Sequence, residues 1–401
     1  MVDAGQRATL RRPAREVPVV ADVDVLIVGG GAAGIAAGIA AARAGARTLL
    51  VERYGAVGGM ATGGLIILLL TLDDGAGRQV VAGVCQELVE RLRARGAAVA
   101  PPAAEWGCAG FVANEMLREA GVRLRLHTWA AEPVVEGDRI AAIVVHSKAG
   151  TEAIRARVVV DASGDGDVFA AAGELFAQER VHPWLWFRMA NVRDVDAAID
   201  AARGRFFPTL GGLFFKTLGP GRALMPWGIA DALDRKINPV DPDDLTYAEL
   251  ECRRLVMQVA DRLKAEVPGF EQAYLDDLAT QLGIYESRRL EGQYILTRED
   301  ADKPFPDSVA RTGNWVRYGQ VFNIPYRCLL PRRVANLLAA GRCISVDHRV
   351  HQATKEIPAC MATGQAAGVA AALAAASPDA AVGAVDVAEL RRMLLTQGAS
   401  L

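Results

Sequence analysis

Apolar residues near the start of the chain follow the spacing of a buried strand, then of a helix, then of a second strand. The continuous apolar run over residues 23–28 is typical of a parallel strand buried on both faces. A stretch of small residues follows it and ends at Gly45, and glycine commonly terminates helices. The run RTLLVE then predicts the second strand. This order predicts a β-α-β unit with a right-handed crossover.

Alternating apolar residues between 129 and 163 predict three further strands, separated by turns at EGDR and KAG. We interpret them as a three-stranded β-meander inserted into the fold. The last strand, VVVDAS, runs into a second glycine-rich turn, DASGDGD.

The composition changes at about residue 176, becomes richer in aromatic residues and proline, and changes back at about 325. The predicted class is therefore α/β, or α+β overall. We expect an N-terminal leader at 1–20 and a Rossmann-type nucleotide-binding domain built from 21–175 and 325–401. A smaller, sheet-containing substrate domain should occupy 176–324.

The charge and cysteine content exclude several classes of function. A net charge of −2 gives no reason to expect a nucleic acid or membrane partner. The strongest apolar run, LIILLLTL, is too short to span a bilayer. The six cysteines form no C-x-x-C pair, so we expect reduced thiols in a cytoplasmic protein and no metal site. The oligomeric state stays open.

Three glycines after the first strand, Gly29, Gly31 and Gly34, have the G-x-G-x-x-G spacing of a dinucleotide-binding turn. The turn opens a predicted helix, whose N-terminus favours phosphate groups. Glu52 ends the next strand, where a carboxylate accepts hydrogen bonds from ribose hydroxyls. This acid argues against a 2′-phosphate and therefore against NADP. Arg53 is assigned to the same half of the site.

A second glycine pair, Gly58 and Gly59, favours FAD over NAD. A simple dehydrogenase has no need for glycines shortly after the ribose acid. A longer nucleotide that continues past the pyrophosphate does, because backbone must again approach the ligand closely. We therefore predict a Rossmann-type FAD-binding domain.

Three further motifs carry a resemblance to a known family: GGMAT after the ribose acid, ESRRLEGQYILT, and residues 324–368, which include AGRCIS and MATGQAAG. In these three motifs, the chain resembles the FAD-dependent oxidoreductase family of the glutathione-reductase-like flavoprotein class. The resemblance extends over nearly the whole chain from about Val19. It implies fold and cofactor, whereas the family's substrates are diverse.

The resemblance also implies roles for individual residues. The ADP half of FAD would be held by the first glycines and Glu52, and the pyrophosphate and ribityl chain by Gly58, Gly59 and Met60. Gly341 and Arg342 would contact the cofactor, and Gly364 and Gln365 would begin a helix directed at the flavin pyrimidine ring. The chain departs from its relatives at LIILLLTLDDG and at VDHRVHQATKEIP, where Lys355 is near the usual arginine.

The motifs leave three functions open. Hydride transfer from a C–N or C–O bond to flavin N5, with oxygen or an electron carrier as acceptor, is the main prediction because it needs only one nucleotide site. The alternative is a flavin-dependent monooxygenase, and the second alternative is a non-catalytic redox sensor or scaffold. A disulfide reductase is disfavoured because no redox cysteine pair and no second dinucleotide motif are present.

The segment PWLWFR is similar to the W-x-W signature of flavin-dependent halogenases. Those enzymes also need a lysine soon after the first nucleotide motif, and the first lysine of this chain is Lys148. We therefore interpret the two tryptophans as residues of a strand in the substrate domain.

Proton transfer is assigned to the segment between the AGRC turn and the predicted C-terminal helix. A hydride donor with an N–H or O–H group must lose a proton, and histidine titrates near neutral pH. His348 is our first candidate for the base or substrate-orienting group, and His351 is the second. Arg288 and Arg289 should point to opposite faces of a strand, one into the active-site cleft and one into a structural ion pair, and Arg288 is our catalytic candidate of the two.

Overall fold

The computed structural model of the protein describes residues 10, 14, 16–97, 107–183, 185–202, 214–226 and 233–401. The predicted leader lies largely outside these residues. The strands are β1 (Val19–Val28), β2 (Thr48–Val51), β3 (Arg123–Arg125), β4 (Trp129–Glu136), β5 (Arg139–Ser147), β6 (Gly150–Asp161), β7 (Phe176–Gln178), β8 (Phe187–Ala190), β9 (Phe215–Lys216), β10 (Ala223–Met225), β11 (Tyr274–Leu278), β12 (Arg288–Leu290), β13 (Ser308–Gly313), β14 (Val321–Pro325) and β15 (Leu337–Ala339). The helices are α1 (Ala32–Arg43), α2 (Val84–Ala94), α3 (Gly107–Glu119), α4 (Asp167–Ala171), α5 (Val195–Ala202), α6 (Pro242–Glu266), α7 (His348–Thr354), α8 (Ile357–Ala376) and α9 (Val387–Thr396).

The larger sheet has the order β3-β2-β1-β6, and β15 pairs with the C-terminal half of β6. All of these pairings are parallel. The four residues of β2 and the C-terminal ends of β1 and β6 are buried, which explains their continuous apolar sequence. The strands β4 and β5 extend the sheet from the N-terminal half of β6 with antiparallel pairing. The protein has a mixed α/β fold.

The helices α1 and α8 pack against each other through small residues. A Cβ atom on Gly364 would lie 2.1 Å from the carbonyl oxygen of Ala33, and one on Gly368 would lie 2.2 Å from that of Ala37. Close approach of the two backbones therefore requires glycine at these positions. Although α8 is long and apolar enough to cross a membrane, 83% of its apolar window is buried inside the protein.

A second, four-stranded antiparallel sheet lies within the described residues between 187 and 278, with the order β11-β8-β10-β9. The long helix α6 begins at Pro242, and the carboxylate of the preceding Asp241 caps it by accepting from the N–H groups of Asp243 and Asp244. The short strand β12 pairs with β7 and returns the chain toward the larger sheet.

Candidate functional site

A cleft of about 1020 Å³, including its open mouth, runs along the carboxyl ends of the parallel strands. Residues that directly follow β1, β2, β6 and β15 line it, among them Gly29, Glu52, Ala162 and Gly341. Open α/β sheets bind their ligands at this edge. The topology therefore gathers residues that lie far apart in the sequence into one site.

The first glycine turn is held so tightly that it excludes side chains. A Cβ atom on Gly34 would lie 1.8 Å from the carbonyl oxygen of Gly29, so α1 can start directly against the turn only without one. Gly29 has a φ of +101°, and a Cβ there would lie 2.5 Å from the carbonyl oxygen of Ala162. At Gly31 the nearest atom to such a Cβ is 3.9 Å away, so this residue leaves space along the cleft.

Glu52 is buried and joins the turn to the end of β2. Its Oε2 accepts the N–H of Gly30 over 2.6 Å, and its Oε1 accepts the N–H of Tyr54 over 2.8 Å. Each carboxylate oxygen can accept a further hydrogen bond, so Glu52 can also bind ribose hydroxyls in the cleft that it lines.

Arg53 lines the same end of the cleft, beside two aromatic rings. Its guanidinium carbon lies 4.9 Å from the ring centroid of Tyr54 and 5.1 Å from that of Trp129. This end of the cleft therefore combines a carboxylate, a planar cation and an aromatic surface, a set that suits an adenosine group.

The second glycine pair is hydrogen-bonded directly to the first glycine turn. Gly58 donates its N–H to the carbonyl of Gly30 over 2.8 Å, and Gly31 and Gly58 form an isolated parallel bridge. Gly59 and Met60 continue along the cleft wall. The two glycine segments thus form one continuous surface for an extended ligand.

Gly341 and Arg342 form the wall after β15. The Arg342 guanidinium donates to the carbonyls of Gly164 and Ile284 over 2.8 Å and 2.5 Å, and it pairs with Asp165. Its donors therefore bind the DASGDGD turn to the residues before β12, and this network fixes the cleft wall.

The prediction that Gly364 and Gln365 begin a helix is wrong, because α8 begins at Ile357. Gln365 is buried in the middle of the helix, where its Oε1 accepts the N–H of Val84 and its Nε2 donates to the carbonyl of Gln397. Neither Gly364 nor Gln365 is among the residues that line the described cleft. Pro358, in the first turn, was the sequence signal for the true start.

The end of the cleft beyond Met60 contains residues to which our sequence analysis assigned no individual role. They are Gln281, Lys355, Ile357 and Cys360. The last three surround the start of α8, so the same proline signal would have identified them.

The two candidate histidines have different surroundings, and neither lines the described cleft. The His348 side chain is 58% exposed, and its Nδ1 lies 2.8 Å from Oε2 of the fully buried Glu286. His351 is fully buried, and its Nε2 lies 2.9 Å from the carbonyl oxygen of Arg342, to which it donates. Burial, together with the charges of Lys355 and Arg289, lowers the pKa of His351 well below its usual value. His351 is therefore neutral at physiological pH.

The adjacent arginines make different ion pairs. Arg289 is buried, lies 2.8 Å from Glu286, and donates to the carbonyl of Val346 over 2.7 Å. Arg288 lies 3.0 Å from Asp167, which lines the cleft, although Arg288 itself does not. Burial, reinforced by the charge of Asp165, raises the pKa of Asp167 to about 6.

Within the described part of the chain, Glu179, Glu286 and His348 bring three possible metal ligands within 4.8 Å of one another. Arg289 pairs with both carboxylates and offsets part of their charge. Of the two tryptophans of PWLWFR, Trp186 is buried in the core and Trp184 lies outside the described residues.

The cleft fits the extended dinucleotide that the sequence predicts. Its Glu52 end suits an adenosine, and the space at Gly31 admits a pyrophosphate close to backbone. Its far end contains a lysine beside the start of a helix.

Comparison with known proteins agrees with this fit. A sequence model of the family described as FAD dependent oxidoreductase matches residues 24–394. No curated protein matches the chain.

Several solved structures have a similar fold. A geranylgeranyl bacteriochlorophyll reductase-like protein from Thermoplasma acidophilum is 15% identical, with a TM-score of 0.52 over 95% of this chain and 84% of that chain. CabE, an aromatic hydroxylase from angucycline biosynthesis, is 16% identical, with a TM-score of 0.52 over 95% of this chain and 70% of that chain. BexE, studied for oxidation during BE-7585A biosynthesis, is 16% identical, with a TM-score of 0.53 over 94% of this chain and 66% of that chain. At these identities the likeness shows a shared fold.

Proposed function

The chain belongs to the FAD dependent oxidoreductase family, and we propose that it is a flavin-dependent monooxygenase that hydroxylates a small organic molecule. FAD is the cofactor, and the protein is an oxidoreductase. Monooxygenation is the alternative of our sequence analysis, and it now has more support than hydride abstraction from the substrate.

The residues of the cleft divide the binding of FAD among them. Glu52 and Arg53 would hold the adenosine, and the backbone of Gly31, Gly58 and Gly59 would follow the pyrophosphate. Bound FAD supplies two-electron chemistry with dioxygen, which protein side chains do not provide. The protein supplies the position, the charge and the exclusion of water.

The observation that carries the proposal is the contact between the segment that follows β11 and the far end of the cleft. Gln281 lines this end, and its backbone N–H donates to the carbonyl of Gly63 over 3.0 Å. The side-chain hydroxyl of Thr280 donates to the same carbonyl. The segment after β11 is therefore hydrogen-bonded to the loop that follows Met60 and forms a wall for a substrate at this end of the cleft.

Two points favour monooxygenation over hydride abstraction. The fold is the one that CabE uses for aromatic hydroxylation. The far end of the cleft also has an apolar wall, which includes Met60 and Ile357 and suits an uncharged organic substrate. In the overall reaction, substrate–H, dioxygen, two electrons and two protons give substrate–OH and water. An external reductant such as a nicotinamide nucleotide supplies the electrons.

Hydride abstraction remains the second candidate because of one observation, the pair formed by His348 and Glu286. A buried carboxylate beside Nδ1 holds the proton on that nitrogen and leaves Nε2 free to accept another. A base of this kind is what a substrate with an O–H or N–H group requires when it loses a hydride.

Oxygen-isotope labelling of the holoenzyme reaction separates the candidates. With phenols, amines and alcohols as test substrates, monooxygenation incorporates one ¹⁸O atom from ¹⁸O₂ into the product and requires the added reductant. Hydride abstraction bleaches the flavin absorbance anaerobically with substrate alone and leaves the product unlabelled. If FAD stays tightly bound and unresponsive to every substrate and reductant, the protein is a sensor or scaffold and both enzymatic proposals fail.

We also propose a cytoplasmic location and membership of the glutathione-reductase-like class. The location is supported by five described cysteines that are buried and free: Cys85, Cys252, Cys328, Cys343 and Cys360. The class is supported by the order of the motifs along the chain. The predicted partner remains a small-molecule substrate.

A further inference from the structure

Lys355 occupies a junction at the far end of the cleft. Lys355 directly follows α7, and Glu356 is the one residue between it and the start of α8 at Ile357. The Lys355 side chain is only 12% exposed, and it lines the cleft together with Ile357 and Cys360. A lysine this deeply buried is uncommon and requires compensation of its charge.

The compensation that the protein provides is weak. Among the described residues, the ion-pair partner of Lys355 is Glu356, whose Oε1 lies 3.5 Å from Nζ. Burial raises the pKa of Glu356, which disfavours its charged form even though Lys355 and Trp315 act in the opposite direction. The face of the Tyr285 ring lies 5.4 Å from Nζ and adds a cation–π contact. These contacts leave hydrogen-bond donors of the Lys355 ammonium available for a ligand in the cleft.

The start of α8 adds to this positive potential. No side chain caps the helix, and Pro358 lies in its first turn. The free N–H groups of a helix N-terminus carry about half a positive charge. The helix end and the ammonium thus act on the same volume of the cleft, and their effects add.

We infer that Lys355 stabilises the negative charge that FAD acquires on reduction and thereby sets the midpoint potential of the flavin. Two electrons and one proton convert the neutral flavin ring system into a singly charged anion. Removing a nearby cation disfavours that anion relative to the oxidised form. The inference rests on FAD binding and on neither of the two reactions proposed above, because both require a reduced flavin.

The test compares the holoenzyme with its Lys355→Met and Lys355→Gln variants. The midpoint potential is measured by spectroelectrochemistry, after the FAD content has been determined. We expect the equilibrium constant for reduction to fall at least tenfold in both variants, which corresponds to a potential about 30 mV more negative. The affinity for sulfite, which adds to the flavin and leaves it negatively charged, should fall in parallel.

Two control variants complete the test. Lys355→Arg keeps the charge, and its potential should stay within twofold of wild type in the equilibrium constant. Lys303→Met removes an exposed lysine that pairs with Asp300, and it should leave the midpoint potential and the sulfite affinity unchanged. A wild-type potential in either neutral Lys355 variant that retains FAD overturns the inference, and so does loss of FAD binding by both, since that would make Lys355 a structural residue. Neither outcome bears on the identity of the reaction.

Discussion

The backbone N–H of Gly58 donates to the carbonyl of Gly30 over 2.8 Å, which joins the glycine pair after β2 to the phosphate-binding turn after β1. The chain leaves this contact along the cleft wall through Gly59 and Met60. The backbones of the two segments are hydrogen-bonded to each other. The backbone therefore sets the distance between the adenosine end and the far end of the cleft, and side-chain flexibility has little influence on that distance.

Gly58→Ala tests this relationship. Gly58 has a φ of +117°, and a Cβ there would lie 2.4 Å from Cγ2 of Thr62. We expect the FAD dissociation constant to rise at least tenfold, measured by fluorescence titration of FAD-free protein. The matched control is Gly45→Ala, where φ is +92° and no atom lies within 4 Å of the added Cβ. It should lose about 1 kcal/mol of stability from backbone strain alone and retain FAD affinity. Equal dissociation constants in the two variants would contradict the role of Gly58.

Glu52→Ala should weaken FAD binding by about 1–3 kcal/mol, because ribose hydroxyls lose their acceptor and the N–H of Gly30 loses its partner. Titration with FAD measures the loss, and mass spectrometry identifies the nucleotide that the denatured wild-type protein releases. Glu266→Ala, at an exposed ion pair with Arg262, is the control and should leave the affinity unchanged. Release of NAD alone would sink the assignment of the site.

The sequence predicted those parts of the site whose signals are local. The run from β1 to Glu52 follows from apolar spacing, a glycine turn and one acid at the end of a strand. The roles of Gly364 and Gln365 could not be assigned in this way, because glycine in a helix serves close packing as well as ligand approach. Gly364 packs against Ala33 of α1, and only the tertiary structure reveals this.

Contacts between distant segments were also beyond the sequence. The Nδ1 of His348 and the carboxylate of Glu286 meet across 62 positions of the chain, and no periodicity or motif pairs them. The sequence assigned proton transfer to the segment that contains Lys355 and singled out its two histidines, whereas Lys355 lines the described cleft and the histidines do not. Strand alternation predicted that one of Arg288 and Arg289 would enter the cleft, with Arg288 as the candidate, yet neither lines the described cleft and both make ion pairs.

Arg289→Met and Arg288→Met should differ in the property that each changes. Arg289→Met leaves the fully buried Glu286 without its neighbouring cation, which should cost about 3–5 kcal/mol of unfolding free energy in urea. Arg288→Met releases Asp167 at the cleft wall, so it should alter FAD affinity and turnover with a smaller effect on stability. Negligible and equal effects of both substitutions on stability, affinity and turnover would refute this division.

Asp167 should make the stability of the FAD-free protein depend on pH. Burial, together with Asp165 and Asp161, raises its pKa in the folded state from 3.8 to about 6, so the folded protein binds the proton more tightly than the unfolded chain does. The contribution is complete below about pH 4 and is lost as the pH rises through about 6. Because the side chain is 37% exposed, we expect only about 1 kcal/mol. Urea unfolding at several pH values should show this loss in wild type and in the exposed-site control Asp379→Asn, but not in Asp167→Asn. An unchanged pH dependence in Asp167→Asn would contradict the assignment.

His348→Ala and His351→Ala should separate proton transfer from structure. If the reaction is hydride abstraction, His348 is the candidate base, because Glu286 faces its Nδ1 and leaves Nε2 available, and its loss should then lower the rate of flavin reduction by substrate at least tenfold. His351 is buried and donates to the carbonyl of Arg342, so its loss should cost about 1–3 kcal/mol of stability and leave the pH profile intact. His146→Ala, at an exposed position of β5, is the control.

Each variant is compared at normal FAD content, by stopped-flow measurement of flavin reduction and by product formation. If the His348→Ala and His351→Ala holoenzymes both keep the wild-type rate and pH profile, neither histidine is the base.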